Sequence, residues 1–262
     1  MGHTRLGKIP KSAKWRAVVD EVVGGTLLVE GDVGPIAALT LDAATPALEK
    51  SRDDEGLRHT FYLLTQVALA ARDPNWQDLL SQAGLRLTPD ASLFDLTAEL
   101  QSAVDRRVES RGLPSDVSEM AQQAAGEALA SLAAGSVDTL FGTGGQHLQD
   151  AVRPLSTKSG FARLGQRFFG SFLTRFLNFY LSRVTASSVG SPRLNSVGAV
   201  SEFNKALQTH CEQSARIVRD FCGQWYSKTE YVEGINPENT SRFMAVALRK
   251  LSRELAQQRA DA

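Results

Sequence analysis

Metal binding is the first chemistry that this sequence could support, because it contains two cysteines and four histidines. Cys211 and Cys222 are 11 residues apart, and the chain has no Cys-x-x-Cys or His-x3-His spacing of the kind that holds structural zinc. In "SRDDEGLRH", Glu55 and His59 lie one helical turn apart, but a di-iron site needs Glu-x-x-His on two helices and no second copy occurs. We therefore predict no metal site and interpret this segment as the solvated acidic start of a helix, which suits the helix dipole.

The sequence contains few motifs that would indicate covalent catalysis or cofactor binding. There is no Gly-x-Ser-x-Gly, and neither cysteine has the exposed, electropositive surroundings of a reactive thiol. The glycine-rich stretch "LFGTGGQHLQD" at 140–150 could present backbone N–H groups to a phosphate, but it lacks the Gly-Lys-Ser/Thr ending of a P-loop. We interpret it as a loop between helices, with an anion-binding nest as the alternative. The sequence thus predicts no catalytic residue, no cofactor and no enzymatic activity.

Aromatic residues cluster in "FCGQWYSKTEYVEG" at 221–234, where Trp225, Tyr226 and Tyr231 lie near a predicted helix end. Such a cluster could stack a nucleic-acid base or grip a partner protein. We favour an aromatic cap that closes the hydrophobic core, because aromatic side chains contribute most through the large area that they bury.

Charge is distributed unevenly along a chain whose formal net charge is zero. Residues 1–16 carry five basic and no acidic side chains, residues 17–150 carry 8 basic and 21 acidic ones, and residues 151–262 carry 16 basic and 8 acidic ones. Between Asp150 and Glu202 there is no acidic residue, although seven arginines and lysines occur. This polarity predicts binding surfaces of opposite sign in the two halves of the chain.

The stretch "FARLGQRFFGSFLTRFLNFYLSR" at 161–183 concentrates this basic charge, with six phenylalanines, four arginines and no acidic residue. At 100° per residue, the phenylalanines fall on one half of a helix, whereas Arg163, Arg167 and Arg175 fall on the other. We interpret the phenylalanine face as core. The three arginines then form a candidate surface for an acidic partner, which is either this chain's own residues 17–150 or another molecule.

Two further basic segments, the N-terminal arm and the last predicted helix, complete the set of candidate binding residues. They are Arg5, Lys8, Lys11, Arg249, Lys250 and Arg253. Their cationic groups pair readily with carboxylates or phosphates, so they are expected to contact an anionic partner.

Hydrophobic residues at helical spacing predict the elements that position these side chains. Helices are expected at 12–24, 35–44, 57–72, from Ser92 to before Gly112, at 115–134, 159–184 and 200–227, and from Asn236 onward, with shorter ones after Thr45-Pro46 and Asp73-Pro74. Ser92 and Asp95 have the spacing of a capping box. The single candidate strand is "TLLVEG" at 26–31.

The predicted fold class is all-α, a bundle-like protein of nine or ten helices. Residues 1–11 are expected to form a basic flexible arm, residues 12–140 an acidic helical lobe and residues 150–262 a basic helical lobe, with packing into one domain as the alternative. Both cysteines fall on one predicted helix, about 16 Å apart along its axis, which is too far for a disulfide.

The expected location is the cytoplasm. Met1 to Lys11 lacks the apolar core of a signal peptide, and no window of about 20 residues is free of charge, as a membrane-spanning helix would need. Two reduced thiols fit the same compartment.

The sequence predicts a non-enzymatic adaptor or structural subunit of a larger bacterial assembly, which binds protein partners through charge-polarised surfaces. One alternative is a nucleic-acid-associated subunit that contacts phosphates through the arginine face and the basic arm. Another is a membrane-surface effector that uses the amphipathic helix at 159–184.

Overall fold

The computed structural model describes residues 12–24, 33–133 and 145–258, with the side chains of the last range described from 147 to 255. All regular secondary structure in these ranges is helical, which confirms the all-α class. The ranges contain eleven α-helices and one 3₁₀ turn, so the predicted number of nine or ten helices was too low. The basic arm, the candidate strand at 26–31 and most of the glycine-rich loop lie outside the described residues.

The helices are named here in chain order. They are α1 (Ala13–Gly24), α2 (Gly34–Ser51), α3 (Glu55–Ala70), α4 (Trp76–Gln82), α5 (Leu93–Ser110), α6 (Asp116–Ala133), α7 (Gly145–Val152), α8 (Lys158–Ser187), α9 (Val197–Ser214), α10 (Arg216–Val232) and α11 (Pro237–Gln258), with a 3₁₀ turn at Arg153–Ser156. None of the helices in the described ranges is long and apolar enough to cross a bilayer.

Side-chain caps determine where several of these helices begin. The Ser92 hydroxyl accepts a hydrogen bond from the Asp95 backbone N–H at 3.2 Å, and the Asp95 carboxylate accepts one from the Ser92 N–H at 2.8 Å. The predicted capping box is therefore confirmed. At the start of α11, the Asn236 side-chain oxygen accepts from the Asn239 N–H at 3.0 Å.

Helix α2 differs from the prediction, because it continues through Pro46 where two separate helices were expected. Proline has no N–H to donate to the carbonyl of Asp42, which costs the helix one hydrogen bond. The Thr45 hydroxyl donates to the Leu41 carbonyl at 2.9 Å and so faces back along the same helix rather than capping a new one. Buried residues on both sides of Pro46, among them Leu41 and Leu48, keep the two halves of α2 on one core.

The predicted long helix at 200–227 is divided into α9 and α10 at Ala215. The tertiary contact with α8 explains the division. The side-chain amide of Gln166 on α8 donates to the Glu212 carbonyl at 3.3 Å, and this carbonyl would otherwise accept from Arg216 in a continuous helix. Gly170 allows α8 to come this close, since a Cβ on it would lie 3.1 Å from the Glu212 Cα.

Helix α8 is the central element of the core and packs against α6, α9 and α10. Five of its six phenylalanines between 161 and 183 are buried and the sixth is partly buried, as the predicted core face requires. Phe61 of α3 lies among these rings and is fully buried. The buried residues form one contiguous cluster that reaches from α1 to α11. The division into an acidic and a basic lobe stays a prediction.

Both cysteines are free and buried, although they belong to α9 and α10 rather than to one helix. Burial raises the pKa of the Cys211 thiol to about 12 and raises that of Cys222 as well. Gly165 of α8 faces Cys222, because a Cβ on this glycine would lie 2.4 Å from the Cys222 Sγ. These thiols therefore contribute packing, which agrees with the prediction that neither is reactive.

Candidate functional site

An arginine-lined groove lies between α2 and α11. It has a volume of about 200 Å³. Its walls carry Arg52, the residue that caps the C-terminus of α2, and Arg249 and Arg253 from α11. The remaining lining residues are Thr45, Leu48, Glu49, Leu248 and Ser252. We call this feature the arginine groove.

The packing of α2 against α11 positions the three guanidinium groups. Leu48 and Leu248 are 4% and 2% exposed and form part of the hydrophobic core beneath the groove. Arg52 lies four residues after Leu48, as the C-cap of α2, and keeps a helical backbone conformation. Arg249 follows Leu248 directly, and Arg253 lies one further turn along α11. The leucines therefore hold the helix surfaces that present the arginines.

The arginine groove carries an excess of positive charge. Among the described residues, Arg52, Arg249 and Arg253 make no ion pair, and Glu49 contributes the one carboxylate of the lining. Arg52 Nε donates to the Glu49 backbone carbonyl at 3.2 Å, which orients the Arg52 side chain without neutralising it. Planar guanidinium groups bind carboxylates and phosphates through paired hydrogen bonds. The groove is thus suited to an anionic ligand.

Sequence reasoning predicted Arg249 and Arg253 as binding residues but missed Arg52. Arg52 lies in the segment "SRDDEG", which is acidic overall because three acidic residues follow the arginine. Asp53 pairs with Arg58, whereas Asp54 caps α3 and Glu55 pairs with Arg107, so none of the three neutralises Arg52. A helical projection of α2 extended to its C-cap, which places Arg52 one turn after the apolar Leu48, is the signal that could have identified it.

Two of the three arginines on the arginine face of α8 are paired within this chain. Arg175 pairs with Glu127 of α6, and its Nη1 donates to the Gln123 side-chain oxygen at 2.6 Å. Arg167 pairs with Glu212 of α9 at 2.6 Å. Arg163 is exposed and makes no ion pair with the described residues. The structure therefore brings acidic partners from both halves of the sequence to this face, rather than from residues 17–150 alone.

We expect Arg175→Glu to lower the free energy of unfolding by about 1–2 kcal/mol, because it places two carboxylates together between α6 and α8 and removes the bond to Gln123. Urea unfolding followed by far-UV circular dichroism measures this change. Arg163→Glu on the same helix is the matched control and should change stability by less than about 0.5 kcal/mol. Equal losses in both variants would contradict the assignment, and Arg175→Glu/Glu127→Arg should restore part of the loss.

Lys250 lies on α11 but is directed away from the arginine groove. Its Nζ is 5.3 Å from the centre of the Phe221 ring on α10, within the range of a cation–π contact. The structure thus separates Lys250 from Arg249 and Arg253, with which sequence reasoning had grouped it. Arg5, Lys8 and Lys11 lie outside the described residues.

The acidic start of α3 forms hydrogen bonds and ion pairs within the chain. Asp54 accepts from the Leu57 N–H at 2.8 Å, and Glu55 pairs with Arg107 at 2.8 Å and with Arg111 at 3.1 Å. Burial raises the pKa of Asp54, so the segment is less solvated than its composition indicated. In the described part of the chain, no group of three or more His, Cys, Asp or Glu residues could hold a metal ion.

The aromatic cluster at 221–234 is divided between core and surface. Trp225 stacks on Phe243 with ring centroids 4.2 Å apart, and Tyr226 stacks on Phe161 at the same separation. These two residues close the core, as the favoured interpretation stated. Tyr231 is 92% exposed and takes no part in the core.

The fold and the site together define an all-α helical-bundle protein with an arginine groove between two of its helices. No family model, no curated protein and no solved structure matches this chain.

Proposed function

We propose that this protein is a non-enzymatic adaptor or structural subunit of a larger assembly, and that it binds an acidic partner protein through the arginine groove. The observation that carries this proposal is the convergence of Arg52, from the C-terminal cap of α2, with Arg249 and Arg253 of α11, without an ion pair to any described residue. A site in which arginines are presented by rigid, core-anchored helices is preorganised for carboxylates, since little side-chain and backbone order must be gained on binding.

The same observations support binding of an acidic protein better than they support the two alternative functions. A membrane-surface role would need the phenylalanine face of 159–184, but that face is buried in the core. A nucleic-acid role would need the arginines of α8, but Arg167 and Arg175 are paired within the chain, and Glu49 would repel phosphates at the groove. Arginine is also enriched at protein interfaces and among the residues that contribute most to their affinity.

The test is quantitative affinity purification from the native host with a charge-reversal variant. Arg52→Glu/Arg249→Glu/Arg253→Glu reverses the groove, whereas Arg183→Glu/Lys205→Glu/Lys228→Glu changes the net charge equally at exposed positions outside it. We expect a stoichiometric partner with the wild-type protein, at least about tenfold less of it with the groove variant, and an unchanged amount with the control. Circular dichroism confirms that both variants are folded.

Three outcomes would overturn the proposal. The first is equal retention of the partner by both variants, which would place the interface elsewhere. The second is salt-dependent retention on DNA or RNA that the groove variant loses, which favours the nucleic-acid alternative. The third is flotation with anionic liposomes, which favours the membrane alternative.

A further inference from the structure

We infer that the arginine groove binds an α-helix of the partner protein, and that this helix carries two acidic side chains four residues apart on the face that it presents to α11. The inference rests on the proposed function, because it specifies the partner segment that the same groove would take. It follows from the placement of Arg249 and Arg253 along α11, from the helical walls of the groove and from the position of Glu49.

The spacing of Arg249 and Arg253 sets the first requirement. The two residues are separated by four positions on α11, which corresponds to about 6 Å along the helix axis. Carboxylates at positions i and i+4 of a second helix repeat this distance on one face. Each guanidinium group could then bind one carboxylate, while Arg52 on the opposite wall is available to a third acidic group.

The walls of the groove favour a helical ligand over an extended one. Both walls are α-helices, whose backbone groups are already paired along their own axes, so the groove has no open strand edge. An extended peptide would find no strand edge there with which to pair its backbone N–H and C=O groups. A helix satisfies its own backbone groups and can pack against the seam between α2 and α11.

Glu49 sets the charge pattern of the ligand. It lies on the last turn of α2, three residues before the C-cap Arg52, so this wall presents a negative and a positive group in succession. A polyphosphate backbone is negative throughout and meets repulsion at Glu49. A protein helix can place a lysine or arginine opposite Glu49 and its acidic residues opposite the arginines. The ligand expected here is therefore acidic but of mixed charge.

Synthetic helices test this inference directly. Fluorescence anisotropy would measure the binding of labelled alanine-based peptides of about 16 residues, a length that forms helix in water. The matched peptide carries two glutamates at i and i+4 and one lysine on the adjacent flank. The mismatched peptide has the same composition with the glutamates at i and i+2, which point to different helix faces. Circular dichroism verifies equal helicity.

We expect the wild-type protein to bind the matched peptide at least about tenfold more tightly than the mismatched one. Arg249→Lys/Arg253→Lys should weaken binding of the matched peptide by roughly threefold to tenfold, because the charge remains but the paired hydrogen bonds are lost. Glu49→Gln should weaken binding of the matched peptide and strengthen binding of a short DNA or RNA oligonucleotide.

The outcomes separate this inference from the proposed function. If the protein binds both peptides equally, or binds neither, the inference that the groove takes a helical ligand is wrong. If the groove-dependent partner is nevertheless recovered from the host, the proposed function stands with a different kind of segment. An oligonucleotide could instead bind more tightly than the matched peptide and lose this binding in Arg52→Glu/Arg249→Glu/Arg253→Glu. That result overturns both the helical ligand and the proposed function.

Discussion

Replacing Phe61 by alanine is expected to lower the free energy of unfolding by about 3–5 kcal/mol. Phe61 of α3 is fully buried, and its ring lies against aromatic rings of α8, α10 and α11. Its ring centre lies between 5.3 and 6.1 Å from the ring centres of five other aromatic residues. These five residues are Phe161, Phe168, Phe169, Trp225 and Phe243. Truncation to alanine therefore removes many contacts at once and leaves a cavity that helices on several sides would have to close.

Chemical unfolding in urea measures this loss as a lower transition midpoint with an unchanged slope. Phe94→Ala is the matched control, because Phe94 is 72% exposed and its removal should change stability by less than about 0.5 kcal/mol. Phe61→Leu should cost less than Phe61→Ala, since it keeps part of the volume. A Phe61→Ala variant that unfolds at the wild-type midpoint would show that the aromatic cluster does not form the centre of the core.

Acidification is expected to destabilise the protein through His59. Burial lowers the pKa of His59 from 6.5 to about 4, with Arg107 adding a smaller effect in the same direction. The folded protein then binds fewer protons than the unfolded chain between these two values, so stability falls as the pH decreases from 6.5 to 4. The full shift corresponds to roughly 3 kcal/mol, all of it present above pH 6.5 and absent below pH 4.

The difference between wild-type and His59→Gln proteins isolates this effect from the carboxyl groups that titrate in the same range. Unfolding midpoints measured at steps between pH 7 and pH 4 should fall more steeply for the wild type than for His59→Gln. His147→Gln changes an exposed histidine and should keep the wild-type dependence. Parallel curves for the wild type and His59→Gln would contradict the buried, neutral state of His59.

Asp54 acts in the opposite direction, because its raised pKa favours the protonated, folded state as the pH falls.

The predictions that succeeded depend on short-range interactions. The capping box of Ser92 and Asp95 and the Asn236 cap involve residues within three positions of each other, so their sequence spacing identifies them. The core face of α8 follows from helical periodicity in the same way. The failed prediction of one helix at 200–227 depends on a distant residue, because Gln166 on α8 donates to the Glu212 carbonyl where α9 and α10 separate.

The sequence by itself determined the all-helical class, most helix positions and the uneven distribution of charge. Helical hydrogen bonds join residues four positions apart, and this period is visible in the order of apolar residues. Only the tertiary structure decided which arginines remain available. Arg167 and Arg175 are paired because Glu212 and Glu127 come beside them, whereas Arg52 joins Arg249 and Arg253 from a distant part of the sequence. Burial of apolar side chains determines which helices pack against each other. The charged residues at the edges of those helices are brought together as a consequence.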